Sequence, residues 1–217
     1  MINKLFILSC LLMLQIHSLA GKNLPIDTLG SKDASKPLVV YISGDGGLNT
    51  FSTQFIKQWN MKGYPIIALN SKTYFWKTKL PDVAAKDITE VIMQYLNLWK
   101  RNEVILVGYS LGADIMPFIQ NRLSQELLTK VKHSVLLSPS NNTDFTVHLF
   151  YSSTGGNSVP VEINKLNKPT LIIFGKEETD IPVKLINNKM VTILTLPGDH
   201  HYDNQTATLT DEILKRL

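Results

Sequence analysis

Apolar positions along this chain follow two rhythms. Short continuous runs rich in β-branched residues, at 38–42, 64–69, 104–107, 131–137, 169–174 and 190–196, read as strands buried on both faces. Between them lie stretches with helical spacing, at 51–61, 82–99, 111–130, 183–188 and 208–217. The second is the clearest, with Val83, Ile88, Val91, Ile92, Tyr95, Leu96 and Trp99 on one stripe. Pro117 falls in the early turns of the third and predicts a local kink there. Strand and helix alternate throughout, the signature of a mostly parallel sheet, here of about six main strands, covered by helices on both faces. The segment 141–166 is the least regular, with 146–151 read as extended. No insertion is long enough for a large lid.

The first twenty residues have another character. Lys4 precedes an apolar run from 5 to 16, and Ser18-Leu19-Ala20 offers a small-residue cleavage site. This reads as a signal peptide cleaved after Ala20, leaving 21–217 as a single exported domain, periplasmic in location. The only cysteine, Cys10, lies in that segment, and the apolar run continues past it, which argues against lipid attachment. The mature chain then has no disulfide, no thiolate metal site and no thiol nucleophile. Lysine and arginine number 22 against 18 acidic residues, a formal charge of +4. The excess is spread along the chain without a dense basic block, so nucleic acid is not an expected partner. Weak attraction to an anionic membrane surface fits.

The strongest chemical signal is the run 104–112, an apolar strand that ends in Gly108-Tyr109-Ser110-Leu111-Gly112 and passes directly into a helix. A serine on such a strand-to-helix turn is held with its hydroxyl projecting above the sheet, the arrangement found in α/β-hydrolases. Serine is a weak nucleophile unaided, so a base, an acid and an oxyanion site are required. In this fold they follow in the order Ser, acid, His, at the C-terminal ends of strands. The acid is expected after strand 169–174. Asp180 is favoured there, with Glu178, three residues after Gly175, as the alternative. The base is expected after the last strand, where His201, preceding an aromatic residue, is favoured over His200. Oxyanion donors are the backbone N–H groups of Asp45, in the loop Ser43-Gly44-Asp45-Gly46-Gly47, and of Leu111. Asp45, Asp114 and Asp199 would crowd the mouth with carboxylates and suit an ester bearing an ammonium group. Asp114 and Asp199 read equally well as loop-orienting hydrogen bonders. Neither a metal nor a cofactor is called for: His200, His201 and Asp203 lack zinc-helix spacing, and the glycine loop lacks a nucleotide motif. Tyr74-Phe75-Trp76 reads either as core or as a contact to a lipid surface.

Four stretches together resemble the VirJ/AcvB family of bacterial virulence proteins. They are Ser43-Gly44-Asp45-Gly46-Gly47, Leu69-Asn70-Ser71-Lys72-Thr73-Tyr74-Phe75-Trp76, Gly108-Tyr109-Ser110-Leu111-Gly112-Ala113-Asp114 and Pro197-Gly198-Asp199-His200-His201-Tyr202. Pro117-Phe118 and Asn121-Arg122-Leu123 fit the same pattern, while Leu48 and Lys72-Thr73 depart from it. The length is similar to the single-domain VirJ form. The resemblance implies a periplasmic α/β-hydrolase. AcvB-type members are associated with hydrolysis of aminoacylated phosphatidylglycerol, chiefly the lysyl form, and some members are linked to type IV secretion. The implied reading is a serine esterase acting on an aminoacylated phospholipid at the membrane surface. Its alternatives are a non-catalytic binding or chaperone factor that meets secretion-system proteins, and an esterase of small soluble esters.

Overall fold

The computed structural model describes residues 24–148 and 156–217. Its centre is a seven-stranded sheet built from β1 (Ile26–Leu29), β2 (Leu38–Ile42), β3 (Ile66–Leu69), β4 (Val104–Tyr109), β5 (Val131–Leu137), β8 (Thr170–Gly175) and β9 (Val191–Leu196). The spatial order is β1-β3-β2-β4-β5-β8-β9, and every pairing is parallel except β1 with β3. The predicted strands are all present. The seventh, β1, is an antiparallel edge strand that the sequence pattern missed, because four half-exposed residues carry too little periodicity. A separate two-stranded ribbon, β6 (Asn142–Thr143) with β7 (Asn157–Ser158), lies within the irregular segment.

Successive side chains of one strand enter opposite layers, and this builds two cores. Leu38, Val40 and Ile42 join one cluster with residues of α3 (Pro81–Leu98) and α4 (Leu111–Gln120). Val39 and Tyr41 join the other, with residues of α1 (Thr50–Met61) and the closing helix α7 (Thr206–Leu214). Strands buried on both faces need apolar residues at every position, which is why these runs show no alternation. Each fully buried aliphatic side chain contributes about 1.5–3 kcal/mol.

Helix boundaries follow local chemistry. Asn49 caps α1 by accepting from the Ser52 N–H, and Pro81 opens α3 at a position where its missing N–H costs nothing. The expected helix 111–130 is two helices. α4 runs through Pro117 and ends at Gln120, and α5 (Gln125–Lys130) starts afresh where the extended Ser124 accepts from the Leu127 N–H. A good N-cap inside an apolar-periodic stretch outweighs the periodicity. Two further short helices, α2 (Ser71–Tyr74) and α6 (Val159–Ile163), were not foreseen, and 183–188 is only a 3₁₀ turn at Pro182–Leu185. Of the segment 146–151 read as extended, 146–148 has no regular structure and 149–151 lies outside the described residues, as does the proposed signal segment.

Candidate active site

At the C-terminal end of the central strand β4 the chain turns sharply at Ser110, whose φ of +52° and ψ of −119° are costly for a residue with a side chain. The conformation is locked from both sides. The Ser110 N–H donates to the Leu137 carbonyl of β5 at 2.9 Å, and the Ser110 carbonyl accepts from Asp114 N–H at 3.0 Å. Gly112 makes the turn sterically feasible, since a Cβ there would run into the Ile42 carbonyl of β2. The hydroxyl is left at a partly open apex.

Over this apex sits the loop after β9. Nε2 of His200 lies 3.0 Å from Ser110 Oγ, and its Nδ1 lies 2.9 Å from Glu178 Oε2. Glu178 is in turn fully engaged: its other oxygen accepts from the Gly175 N–H at 2.6 Å and from the Ser138 hydroxyl at 2.7 Å. Burial pushes the Glu178 carboxyl up, but the hydrogen bonds from His200, Ser138 and Gly175 outweigh it and hold the group below the usual glutamate range. The Gly175 backbone touches the loop that carries His200 so closely that any Cβ at 175 would strike the Asp199 carbonyl. That approach brings acid and imidazole together.

The favoured acid and base of the sequence reading are therefore displaced by their alternatives. Asp180 is exposed, has a φ of +58°, and its carboxylate accepts from Asn141 Nδ2 at 3.2 Å. His201 has its N–H tied to Asp199 Oδ1 at 2.7 Å, and its ring stands edge-on to Phe51 at 5.9 Å. Tyr202 explains the choice. Its ring is buried, and its hydroxyl donates to the Ile173 carbonyl at 2.9 Å and lies 2.7 Å from Ser138 Oγ. With that residue plugged into the core, the loop presents position 200, not 201, to the serine.

Three other residues support the site without having been singled out. Ser138 orients Glu178, Tyr202 anchors the loop, and Tyr109 donates from its hydroxyl to the His200 carbonyl at 3.3 Å with its ring 5.5 Å from the imidazole. The signal for Ser138 was its place at the end of the strand neighbouring β4.

Of the expected oxyanion donors, Leu111 opens α4, a helix whose first turn receives no side-chain cap. Gly44 brings the second loop in, as a Cβ there would lie 3.0 Å from Ser110 Cβ. The neighbouring Asp45 carboxyl is raised by burial, a shift only partly offset by the His148 N–H that it accepts at 3.1 Å.

Asp199 and Asp114 hold loops together. Asp199 Oδ1 accepts from the N–H groups of His201 and Asp203. Asp114 is buried beneath the site, where Oδ1 accepts from the Ser140 N–H at 2.6 Å and Oδ2 lies 2.8 Å from Ser140 Oγ. Ser140 Oγ is also 2.9 Å from the Asn142 carbonyl. Asp114 Oδ2 accepts from the Ser140 hydroxyl in surroundings closed to solvent. Burial accordingly pushes the carboxyl up to about 8, with a smaller contribution from Asp45 and against the Ser140 bonds. Asp114 and Asp199 thus follow the loop-orienting reading, while Asp45 stands in the loop that Gly44 brings against Ser110.

The sign of the resulting pH effect is fixed. Between the ordinary aspartate range and about pH 8 the folded protein keeps a proton that the unfolded chain has released, so stability falls as pH rises. The slope is at most about 1.4 kcal/mol per pH unit. Asp45, also raised, has the same sign. Asp114→Asn, which preserves the hydrogen-bonding shape, is expected to flatten this fall in urea denaturation compared at pH 5 and pH 8. An undiminished fall in the variant would refute a buried neutral acid at 114.

Beside Glu178 and His200 an open cleft of about 790 Å³ runs between Ser138–Asn142, Ser158 and Thr179–Ile181. No metal-holding cluster of His, Cys, Asp and Glu occurs among the described residues.

A serine at a strained strand-to-helix apex, an imidazole from the last loop and a central parallel sheet define an α/β-hydrolase fold, and solved structures agree. A protein of unknown function from Agrobacterium tumefaciens, described as a candidate α/β hydrolase, superposes with a TM-score of 0.64 at 18% identity, over 89% of each chain. Est1E from Butyrivibrio proteoclasticus, solved with ferulic acid, gives 0.62 at 18% identity, over 88% of this chain and 93% of its own. An esterase of Pyrococcus furiosus gives 0.62 at 15%, over 89% and 91%. No curated protein matches by sequence. Within this fold the chain belongs to the VirJ family of bacterial virulence proteins, whose family model matches residues 36–217. The likeness read from its motifs is borne out.

Proposed function

We propose that the protein is an exported serine esterase that cleaves an aminoacyl ester, with lysyl-phosphatidylglycerol as its substrate. The observation that carries this reading is the continuous hydrogen-bonded line from Ser110 through His200 to Glu178. His200 Nε2 takes the hydroxyl proton as Ser110 Oγ adds to the carbonyl carbon. The developing oxyanion is held by the N–H groups of Leu111 and Asp45. The C–O bond to the glycerol oxygen then breaks, and His200 returns the proton to that oxygen, releasing phosphatidylglycerol. Water, deprotonated by the same imidazole, attacks the aminoacyl-serine and frees the amino acid. Glu178 holds the ring in the productive tautomer and balances its transient charge. Asp45, in the loop that Gly44 brings against Ser110, suits the α-ammonium of an aminoacyl group, and membership of the VirJ family supports the choice of lipid. Catalysis in this scheme needs no cofactor.

The test uses two readouts. A fluorophosphonate probe is expected to label the wild-type protein and not Ser110→Ala, and the wild type is expected to release lysine from lysyl-phosphatidylglycerol in detergent micelles. Labelling without lysine release would discard the lipid and leave an esterase of other substrates. Absence of both would leave a binding factor on a hydrolase scaffold.

A further inference from the structure

Most large apolar side chains of the described residues are buried, yet the stretch 76–83 exposes three: Trp76 at 60%, Leu80 at 69% and Val83 at 40%. Lysines accompany them. Lys72, Lys77 and Lys86 are exposed, and Lys79 lies with its ammonium 4.6 Å from the centre of the Tyr74 ring. Asp82 within the stretch is paired with Arg122 at 2.6 Å, an arginine that also meets Glu162, and the exposed Glu90 lies one turn beyond Lys86. A stretch joining α2 to α3 is thus both greasy and cationic.

Its position relative to Ser110 follows from backbone bonds. The Lys79 N–H donates to the Phe145 carbonyl at 3.3 Å, and the Val147 N–H donates to the Phe75 carbonyl at 3.1 Å. The adjoining His148 N–H reaches Asp45. On the other side, Gly47 packs against Asn70 and Lys72, within the loop that touches Ser110 through Gly44. The stretch is therefore fixed to the rim of the mouth over the serine. Tyr74 and Phe75 are buried beneath it as a rigid footing.

We infer that Trp76, Leu80 and Val83, with Lys72, Lys77, Lys79 and Lys86, form a docking surface for an anionic phospholipid bilayer. The inference rests on the lipid substrate proposed above and adds how the site reaches it. Tryptophan is favoured at headgroup depth, where its ring is half solvated, and leucine and valine reach the acyl boundary. Lysines near a negatively charged surface each add attraction that fades within a Debye length. Charge complementarity selects a lipid surface over a neutral protein partner. Docking there sets the mouth against the headgroups, so an ester linked to a headgroup need not leave the bilayer.

The experiment measures cosedimentation with vesicles of phosphatidylethanolamine and phosphatidylglycerol, and with phosphatidylcholine alone. The wild type is expected to bind the anionic vesicles, weakly at high salt, and the phosphatidylcholine vesicles poorly. The pairs Trp76→Ser/Leu80→Ser and Lys77→Glu/Lys86→Glu are each expected to weaken binding by about tenfold or more, with melting temperatures matching the parent. Tryptophan emission should shift to the blue on binding, and the first pair should abolish the shift. Equal binding to both vesicle types, or binding unchanged in both pairs, overturns the inference. The proposed substrate fails separately: docking with no lysine release from micelles removes the lipid ester and keeps the docking surface. Micellar release by a protein that ignores vesicles does the reverse.

Discussion

Exchanging His200 for alanine is expected to lower kcat for a carboxylic ester by about 10⁴–10⁶-fold, while His201→Ala leaves it close to the parent. The two rings are neighbours in sequence and 5.7 Å apart between centroids, so bulk electrostatics and loop packing are nearly the same for both. What differs is the bond. Only His200 reaches Ser110 Oγ, at 3.0 Å, and without it no group accepts the hydroxyl proton as the C–O bond forms. Its side chain is also partly exposed, so truncation leaves no buried polar group behind. Steady-state kinetics with a soluble ester checks the pair. A large loss confined to His201→Ala would mean that the loop operates in another register.

The second expectation concerns the acid. Glu178→Gln should reduce kcat by about 10⁴-fold, with KM and the melting temperature little changed, whereas Asp180→Asn should be nearly silent. A glutamine fills the same volume and can still accept from Gly175 and Ser138 through its carbonyl. Its amide, however, is a donor facing Nδ1, which favours the tautomer that leaves Nε2 protonated and unable to take the Ser110 proton. A residue that merely braced the fold would lower the melting temperature together with the rate. Asp180 accepts hydrogen bonds from Asn141, and the imidazole is bonded to Glu178 instead. Should Asp180→Asn be the damaging change, the line Ser110–His200–Glu178 is not the working arrangement.

Much of this architecture was legible in the chain because parallel strands buried on both faces leave uninterrupted β-branched runs. The serine was legible too, since only a strand, a tight glycine-flanked turn and a helix in succession could follow from 104–120. Adjacent or near-adjacent candidates were harder. Whether position 200 or 201 faces the serine depends on where Tyr202 inserts and on a run of left-handed residues from 202 to 204, both set by packing that no local pattern encodes. The same holds for Glu178 over Asp180. The shorter distance from Gly175 decides it, because Ser138 on the neighbouring strand waits there with a hydroxyl. For Asp114 two readings stood level, and the loop-orienting one holds. A carboxylate in the first helical turn looks solvent-facing until β6 and Ser140 are laid over it.

His200 hangs from the end of β9, and β9 is the outermost strand of the sheet, paired on one side only. Ser110, by contrast, crowns β4 in the middle. The two halves of the reactive pair thus belong to regions of unequal durability: margins open at lower free energy than interiors. Warming should fray that border and part the imidazole from the hydroxyl while the central strands remain intact, so the proposed esterase activity should vanish before the protein melts.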